Sequence, residues 1–232
     1  MGTNFHLFEP AHCIILAAVV GLGAALALVQ RRLLPGSRWL RVGLGIVLLA
    51  DGVGWYVYLA AIGQQVFPAQ LPLELCDVMI YLMAVVLLTR NEGVFDVAYY
   101  WALAGTTMAL LTPNLLVHFP SVTSVQYFVA HGLVVSAALY LVWSGQMRPR
   151  RGSVVLAMVA VNLLALFDGV FDAVFKTDYM YLRAKPQHVS LLSFLGPWPW
   201  YVLAAEPVAL ALFLLLYWPF WRRQRKGCGL AG

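Results

Sequence analysis

The chain has 232 residues, of which 62% are hydrophobic and only 11% are charged, and its formal net charge is +5. Soluble domains are about 45–50% apolar and about 25% charged, so this composition excludes a cytosolic enzyme, a secreted disulfide scaffold and a disordered protein. The three cysteines form no CxxC pair, and the first ten residues lack the basic region of a cleavable signal peptide. The composition therefore predicts an all-α polytopic membrane protein.

Seven apolar runs follow one another along a single transmembrane domain, residues 1–232, and each is near the length of about 20 residues that a spanning helix needs. Helices are predicted because lipid offers no partner to unpaired backbone groups, and because the runs do not alternate as the strands of a membrane barrel do. The predicted spans of this seven-helix bundle are residues 10–30, 42–63, 72–89, 95–113, 124–145, 153–175 and 200–221.

The basic residues predict the orientation of the bundle. Twelve of the 15 fall in connections on one side: Arg31, Arg32, Arg38, Arg41, Arg90, Arg148, Arg150, Arg151, Arg222, Arg223, Arg225 and Lys226. By the positive-inside rule, the N-terminus is expected outside and the C-terminus in the cytoplasm. The longest external segment, residues 176–200, is apolar enough to lie in the interface or to fold back over the bundle.

Ionisable and polar side chains inside the spans are costly in lipid and usually mark function. Here they are Asp51, Glu74, Cys76, Asp77, His131, Asn162, Asp168, Asp172 and Glu206. At 1.5 Å of rise per residue, five of them lie roughly 5–11 Å below the outer ends of their helices, which predicts one pocket open to the outer side. Asp51 lies nearer mid-depth and is expected to be neutral or hydrogen-bonded to another helix.

Within this layer Cys76 and His131 are the candidate catalytic pair, because a thiol needs a neighbouring base to become a nucleophile. The alternative is that each residue only packs against its neighbours. Glu74, Asp77 and the other carboxylates are candidate supporting groups, and Asn114 and Asn162 are candidate oxyanion donors. Arg183 and Lys185 are candidates for binding a lipid phosphate.

Other functions remain open. Asp168 and Asp172 lie at i and i+4 on one helical face and would suit a cation or proton site, so a small transporter that uses Asp51, Asp168, Asp172 and Glu206 is the main alternative. A metal site is not predicted, because only His131 of the five histidines is clearly embedded, whereas His12 and the rest are expected to be terminal or external. Retinal is excluded because spans 6 and 7 hold no lysine for a Schiff base.

Four stretches carry a family resemblance. They are LPLELCDVMIYL (71–82), YYWALAGTTMALLTPNL (99–115), FPSVTSVQYFVAHGLVV (119–135), and DYMYLRAKP with SLLSFLGPWPWY (178–186 and 190–201). These stretches resemble the bacterial YwaF-like integral membrane family. That family is distantly similar to eukaryotic transmembrane protein 164, a phospholipid acyltransferase, and more remotely to the androgen-induced membrane hydrolases of fatty-acid esters.

The resemblance implies acyl transfer or acyl-ester hydrolysis on lipids, with Cys76 as the nucleophile and His131 as the base. The chain departs from the family pattern at Glu74, where histidine is usual, and at Asp172, Asp178 and Lys176. The implied partners are a phospholipid acyl donor and a lysolipid acceptor or water. Neither a cofactor nor nucleic acid is expected.

Overall fold

The computed structural model describes residues 6–115 and 117–228, with side chains described as far as Trp221. Within these ranges all regular structure is helical, as the sequence predicts. The helices are α1 (Pro10–Arg32), α2 (Trp39–Ala61), α3 (Leu75–Thr89), α4 (Glu92–Leu111), α5 (Val122–Trp143), α6 (Ser153–Phe175) and α7 (Trp200–Cys228). Two short 3₁₀ turns, Tyr179–Tyr181 and Leu191–Phe194, lie between α6 and α7.

Six of the helices are long and apolar enough to cross a membrane, and the chain is an integral membrane protein. The exception is α3, whose 15 residues extend about 22 Å against the roughly 30 Å of a bilayer core. The helix begins at Leu75, three residues after the predicted start of the span at residue 72, and the backbone is still extended at Glu74. The turn before α3 is held by a residue that follows α6. The Tyr179 hydroxyl accepts the N–H of Leu71 and donates to the carbonyl of Pro68.

The most buried helix is α5, which packs against α1, α2, α3 and α4. Small residues allow α1 to approach it closely. A Cβ atom added at Gly23 would lie 2.9 Å from Leu139 Cβ, and one added at Gly132 would lie 2.9 Å from Val19 Cγ2. The helices α6 and α7, by contrast, are exposed over most of their surface. The helices α3, α4 and α5 therefore pack together at the centre of the bundle, and α7 lies at its edge.

Part of α4 is a π-helix, Trp101–Thr106. Such segments are rare and frequently lie at functional sites, because the wider turn displaces side chains from the regular α register. The Trp101 indole N–H donates to the carbonyl of Ala157 on α6, over 3.2 Å, which ties the segment to the next helix. Sequence periodicity predicts an uninterrupted span here and gives no signal for the wider turn.

The segment between α6 and α7 folds back over the bundle, as predicted. Its first residues are held by the Asp172 carboxylate at the end of α6, which accepts hydrogen bonds from the Thr177 hydroxyl (2.6 Å) and the Tyr179 backbone (3.0 Å). Further along, Met180 and the residues around Leu191 face the space between the helices. This covering segment forms the roof of the cavity described below.

At the end of the bundle away from this roof, Arg150 in the α5–α6 connection forms an ion pair with buried Asp96. Its Nε lies 2.7 Å from Asp96 Oδ2, and its backbone N–H donates to Oδ1 over 2.9 Å. The hydrogen bond and the negative charge of Asp96 raise the pKa of Arg150 above its ordinary value. Arg150, one of the twelve basic residues that predict the orientation, therefore also holds the α5–α6 connection against α4. The side chains after Trp221, including Arg222, lie outside the described residues, and the orientation itself stays a prediction.

Candidate functional site

A cavity of about 580 Å³ lies between α3, α4, α5, α7 and the covering segment. This is within the range of about 300–1,000 Å³ that small-molecule sites occupy. Most of its wall is apolar, and the helix α7 contributes one face, Ala205, Val208, Ala209 and Leu212. Apart from two tryptophans, the polar side chains of its wall are Glu74, Cys76, Asp77, Thr112, Asn114, Thr123, Gln126, Tyr127, His131, Tyr181 and Ser190. The shape suits a long apolar ligand with a polar group near Cys76.

Cys76 is the second residue of α3, so it lies within the unpaired N–H groups of the first turn. Glu74 precedes the helix without a side-chain capping bond. The positive end of a helix stabilises a thiolate, whereas the neighbouring carboxylates of Glu74 and Asp77 oppose it. The Asp77 carboxyl interacts with the hydroxyl of Tyr56 on α2, which draws part of its negative charge away.

His131 is buried, and its two ring nitrogens have different surroundings. Nδ1 lies 2.7 Å from the carbonyl oxygen of Tyr127, and the two rings stack with centroids 4.0 Å apart. Nε2 is also buried but has no hydrogen-bond partner among the described residues. Because a carbonyl can only accept, Nδ1 carries the proton in the neutral ring, and Nε2 keeps a lone pair to which no described residue donates.

Cys76 and His131 thus line the same cavity, as their matched depths predict. No direct hydrogen bond joins the two side chains, since His131 Nε2 has no partner in the described part of the chain and Nδ1 contacts the Tyr127 carbonyl. Catalytic hydrogen bonds are often long before substrate binds, so the geometry is compatible with a nucleophile and a base that meet on a substrate.

A second polar group in the cavity is built from Asn114 and Tyr181. The Asn114 amide donates to the Tyr181 hydroxyl over 3.0 Å, while its carbonyl accepts the backbone N–H of His188. Tyr181 is also close enough to Cys76 to interact with it electrostatically. Burial raises the pKa of Tyr181 above its usual value, and the hydrogen bond from Asn114 partly opposes this, so the hydroxyl stays protonated at neutral pH.

Glu74 has a structural role that the sequence does not reveal. Its Oε2 accepts the backbone N–H of Met180 over 3.0 Å and so joins the start of α3 to the covering segment. Met180 and Tyr181 both have positive φ, 54° and 57°, which is unusual for large side chains. The Tyr201 hydroxyl, on α7, donates to the carbonyl of Tyr181 and holds the other side of this bend.

The remaining candidate residues lie away from the cavity. Asp168 is fully buried with neither oxygen bonded in the described residues, and Asp172 anchors the covering segment. Asn162 donates to Glu206 over 3.0 Å, which links α6 to α7. Arg183 donates to the backbone carbonyl of Asp172, and Lys185 lies 5.3 Å from the centre of the Tyr201 ring.

Asp51 is hydrogen-bonded to another helix, as predicted, because Gln126 Nε2 on α5 donates to it over 3.4 Å. It lies in a separate, open groove beside Val122, Val125 and Val129, which leaves it outside the main cavity. The four carboxylates of the transporter hypothesis, Asp51, Asp168, Asp172 and Glu206, are therefore not gathered in one path through the described structure.

The expectation that His12 is terminal is wrong. It is completely buried near the start of α1, where its Nδ1 accepts the N–H of Phe8 and its Nε2 lies 2.8 Å from the carbonyl of Leu110. Backbone partners on both nitrogens give this histidine a packing role. Within the described residues, no group of three or more His, Cys, Asp or Glu side chains is placed to hold a metal ion.

Sequence reasoning missed several residues of the site. Trp55, Trp101, Gln126, Tyr127 and Tyr181 line the cavity, but none stands out in an aromatic-rich chain. Tyr127 precedes His131 by four residues, so it must lie on the same face of α5, and this spacing was the one available signal. Tyr181 comes from the covering segment, whose path no periodicity predicts.

These features define an integral membrane protein of seven helices whose buried apolar cavity holds a thiol and an imidazole among its polar groups. The model of the TMEM164 family matches residues 7–217, so the chain belongs to this family. The match supports the expected similarity to transmembrane protein 164, whereas the bacterial YwaF-like assignment stays a prediction. No curated protein and no solved structure matches the chain.

Proposed function

We propose that the protein is a lipid acyltransferase or acyl-ester hydrolase in which Cys76 is the nucleophile and His131 is the base. The observation that carries the proposal is the free, buried Nε2 of His131 in the same largely apolar cavity as a thiol at a helix N-terminus. A lone pair buried without a partner is costly, and a site that takes up a proton during a reaction accounts for it.

The chemistry proceeds through a thioester. His131 Nε2 takes the Cys76 proton, and the thiolate attacks the ester carbonyl carbon of a lipid, so that a carbon–sulfur bond forms and the carbonyl electron pair moves to oxygen. The tetrahedral intermediate collapses, the ester carbon–oxygen bond breaks, and the departing lysolipid oxygen takes the proton from His131. Attack by a lysolipid hydroxyl or by water on the thioester completes transfer or hydrolysis.

Two features of His131 and the cavity favour this reaction. The Tyr127 carbonyl accepts a hydrogen bond from the Nδ1–H group and stabilises the imidazolium that forms. A carboxylate has this role in catalytic triads. The apolar wall contributed by α7 offers space for an acyl chain. No step of this mechanism uses a metal or a cofactor.

The proposal includes a membrane arrangement. All seven helices cross, with α3 starting below the outer surface where the covering segment shields its N-terminus, and the C-terminus is cytoplasmic in a bacterial inner membrane. Non-helical backbone at membrane depth is tolerated only where protein or a cavity covers it, and the Tyr179 hydroxyl pairs with the backbone of Pro68 and Leu71 in the turn before α3. Cys76 then acts on lipids of the outer leaflet, and Arg183 and Lys185 lie outside the cavity, within reach of a headgroup.

The test uses the full chain in lipid nanodiscs that contain a phospholipid with an isotope-labelled acyl chain and a lysolipid acceptor. We expect labelled acyl chain on Cys76 by mass spectrometry and label in the acceptor or in free fatty acid. Cys76→Ala should abolish both signals. Cys13→Ala is the matched control, because Cys13 is exposed on α1 and its thiol donates to the Phe8 carbonyl. A Cys76→Ala protein that still moves the label overturns the proposal.

A further inference from the structure

The hydrogen bonds around Asn114 determine where the Tyr181 proton points. The backbone N–H of His188 can only donate, so the Asn114 atom facing it is the carbonyl oxygen, and the amide NH₂ faces Tyr181. An amide N–H can also only donate, so the Tyr181 oxygen accepts it. The phenolic proton must then point elsewhere, and among the described residues it has no acceptor.

The backbone at Tyr181 has an unfavourable conformation that places this residue in the cavity wall. Two consecutive large residues, Met180 and Tyr181, have positive φ, and such strain persists only where the surroundings enforce it. Three hydrogen bonds enforce it here: Asp172 accepts from Tyr179, Glu74 accepts from Met180, and Tyr201 donates to Tyr181. Because these bonds come from three different elements, the tyrosine is fixed before any ligand binds.

Tyr127 also lines the cavity, but its hydroxyl proton, unlike that of Tyr181, already has an acceptor. Its hydroxyl donates to the carbonyl of Ala109 over 2.7 Å, so its proton is already used. Both tyrosines line the cavity and both interact electrostatically with Cys76, but only Tyr181 has a proton to offer to a ligand. The cavity thus combines a nucleophile, an acceptor at His131 Nε2 and a preorganised donor at Tyr181.

We propose that the Tyr181 hydroxyl is the oxyanion donor of the acyl-transfer reaction and that Asn114 is the positioning residue that orients its proton. The inference rests on the proposed function. When the Cys76 thiolate attacks the ester carbonyl, the carbonyl electron pair moves to oxygen, and the Tyr181 proton hydrogen-bonds this negative oxygen without being transferred. Donors of this kind act on the transition state more than on the bound substrate.

The experiment compares two reactions of Cys76 in nanodiscs, in a background where Cys13 and Cys228 are serine. Acylation by an activated fatty-acyl ester passes through an oxyanion, whereas alkylation by a lipid-linked haloacetamide does not. Tyr181→Phe should slow acylation by about 100- to 1,000-fold, the usual loss for one oxyanion donor, and leave the alkylation rate unchanged. In steady-state turnover, kcat should fall and KM should stay the same.

Asn114→Asp tests the positioning role. The carboxylate still accepts the His188 N–H, but towards Tyr181 it offers an acceptor in place of a donor and turns the phenolic proton away from the cavity. The acylation rate should fall about as far as in Tyr181→Phe, and the double variant should be no slower than either single one. Tyr58→Phe, which removes the same hydroxyl from a half-exposed tyrosine of α2, is the matched control.

The outcomes separate the two proposals. If the unmodified protein does not acylate Cys76 under any condition, the proposed function fails. If Cys76 is acylated and Tyr181→Phe reacts at the full rate, the mechanism stands and the oxyanion assignment is overturned. Equal slowing of acylation and alkylation would assign Tyr181 to the packing of Cys76 and would also overturn it.

Discussion

The Nδ1 atom of His131 lies 2.7 Å from the carbonyl oxygen of Tyr127, the residue one helical turn earlier on α5. An α-helical carbonyl is normally used by the backbone N–H four residues later, so Tyr127 shares its oxygen between the backbone and the side chain of His131. The contact fixes both the tautomer and the direction of the ring. It makes Nε2 the basic atom, and the predictions about catalysis follow from it.

Replacement of His131 by alanine should reduce Cys76 acylation by about 100- to 10,000-fold, the usual contribution of a general base. The acyl-enzyme formed from an activated ester is quantified by mass spectrometry. His118→Ala is the matched control, since this histidine is exposed and its carbonyl, not its ring, contacts Ser124. A His131→Ala protein that acylates Cys76 at the normal rate would remove the base from the mechanism.

Glu74→Ala should lower the thermal stability of the protein and slow the reaction, because the N–H of Met180 loses its acceptor beside the strained Tyr181. Loss of a typical hydrogen bond costs about 0.5–1.5 kcal/mol, and a buried N–H left without an acceptor adds to this cost. Glu74→Gln keeps an acceptor oxygen and should retain most of both properties. Thermal unfolding in detergent, followed by intrinsic tryptophan fluorescence, measures the first property. Equal effects of the two variants would contradict this role for Oε2.

The Asn162–Glu206 hydrogen bond should stabilise the α6–α7 contact without a part in the chemistry. A double-mutant cycle with Asn162→Ala and Glu206→Ala should give a coupling energy of about 0.6–1.7 kcal/mol, as for other hydrogen bonds between membrane helices. The acylation rate of the folded protein should not change, since neither residue lines the cavity. A large loss of Cys76 acylation in both single variants would instead place this pair in the functional machinery.

Gly23→Ala should destabilise the protein, because the added methyl group would meet the Leu139 Cβ at 2.9 Å and the Ser136 carbonyl at 3.1 Å. Overpacking of this kind typically costs about 1–3 kcal/mol. Gly21→Ala is the control on the same helix, where nothing lies within 4 Å of the new methyl group. Because alanine has a higher helix propensity than glycine, the stability of the Gly21→Ala protein should be equal to or slightly above that of the unmodified protein. The midpoint of thermal unfolding measures both variants.

The orientation is tested by reporters fused to the C-terminus. The excess of basic residues on one side predicts a cytoplasmic C-terminus, so a C-terminal alkaline phosphatase fusion should be inactive and a fluorescent-protein fusion should be bright. The same pair of reporters inserted in the covering segment, between Ala184 and Lys185, should give the reverse pattern. An active phosphatase at the C-terminus would place Cys76 on the cytoplasmic side.

The sequence by itself determined the class of protein and most of its helices. A soluble fold cannot bury so large an excess of apolar residues. In lipid, an apolar run must become a helix because its backbone groups have no other partners. For this reason the spans at 153–175 and 200–221 begin where the helices α6 and α7 begin. Helical rise also placed Cys76 and His131 at similar depth, and both line one cavity.

Only the tertiary structure decided where α3 begins, that α4 contains a π-helix, and which polar residues meet. Residues 72–74 are predicted as the start of a span, but the turn just before them is held at Pro68 and Leu71 by Tyr179, more than a hundred residues later in the chain. Other long-range contacts bring Asn114 and Tyr181 to the cavity that Cys76 lines. Asp168, Asn162 and Glu206 do not line this cavity. Helical period gives the depth and face of a residue on its own helix, but the rotation of each helix against its neighbours depends on packing among all of them.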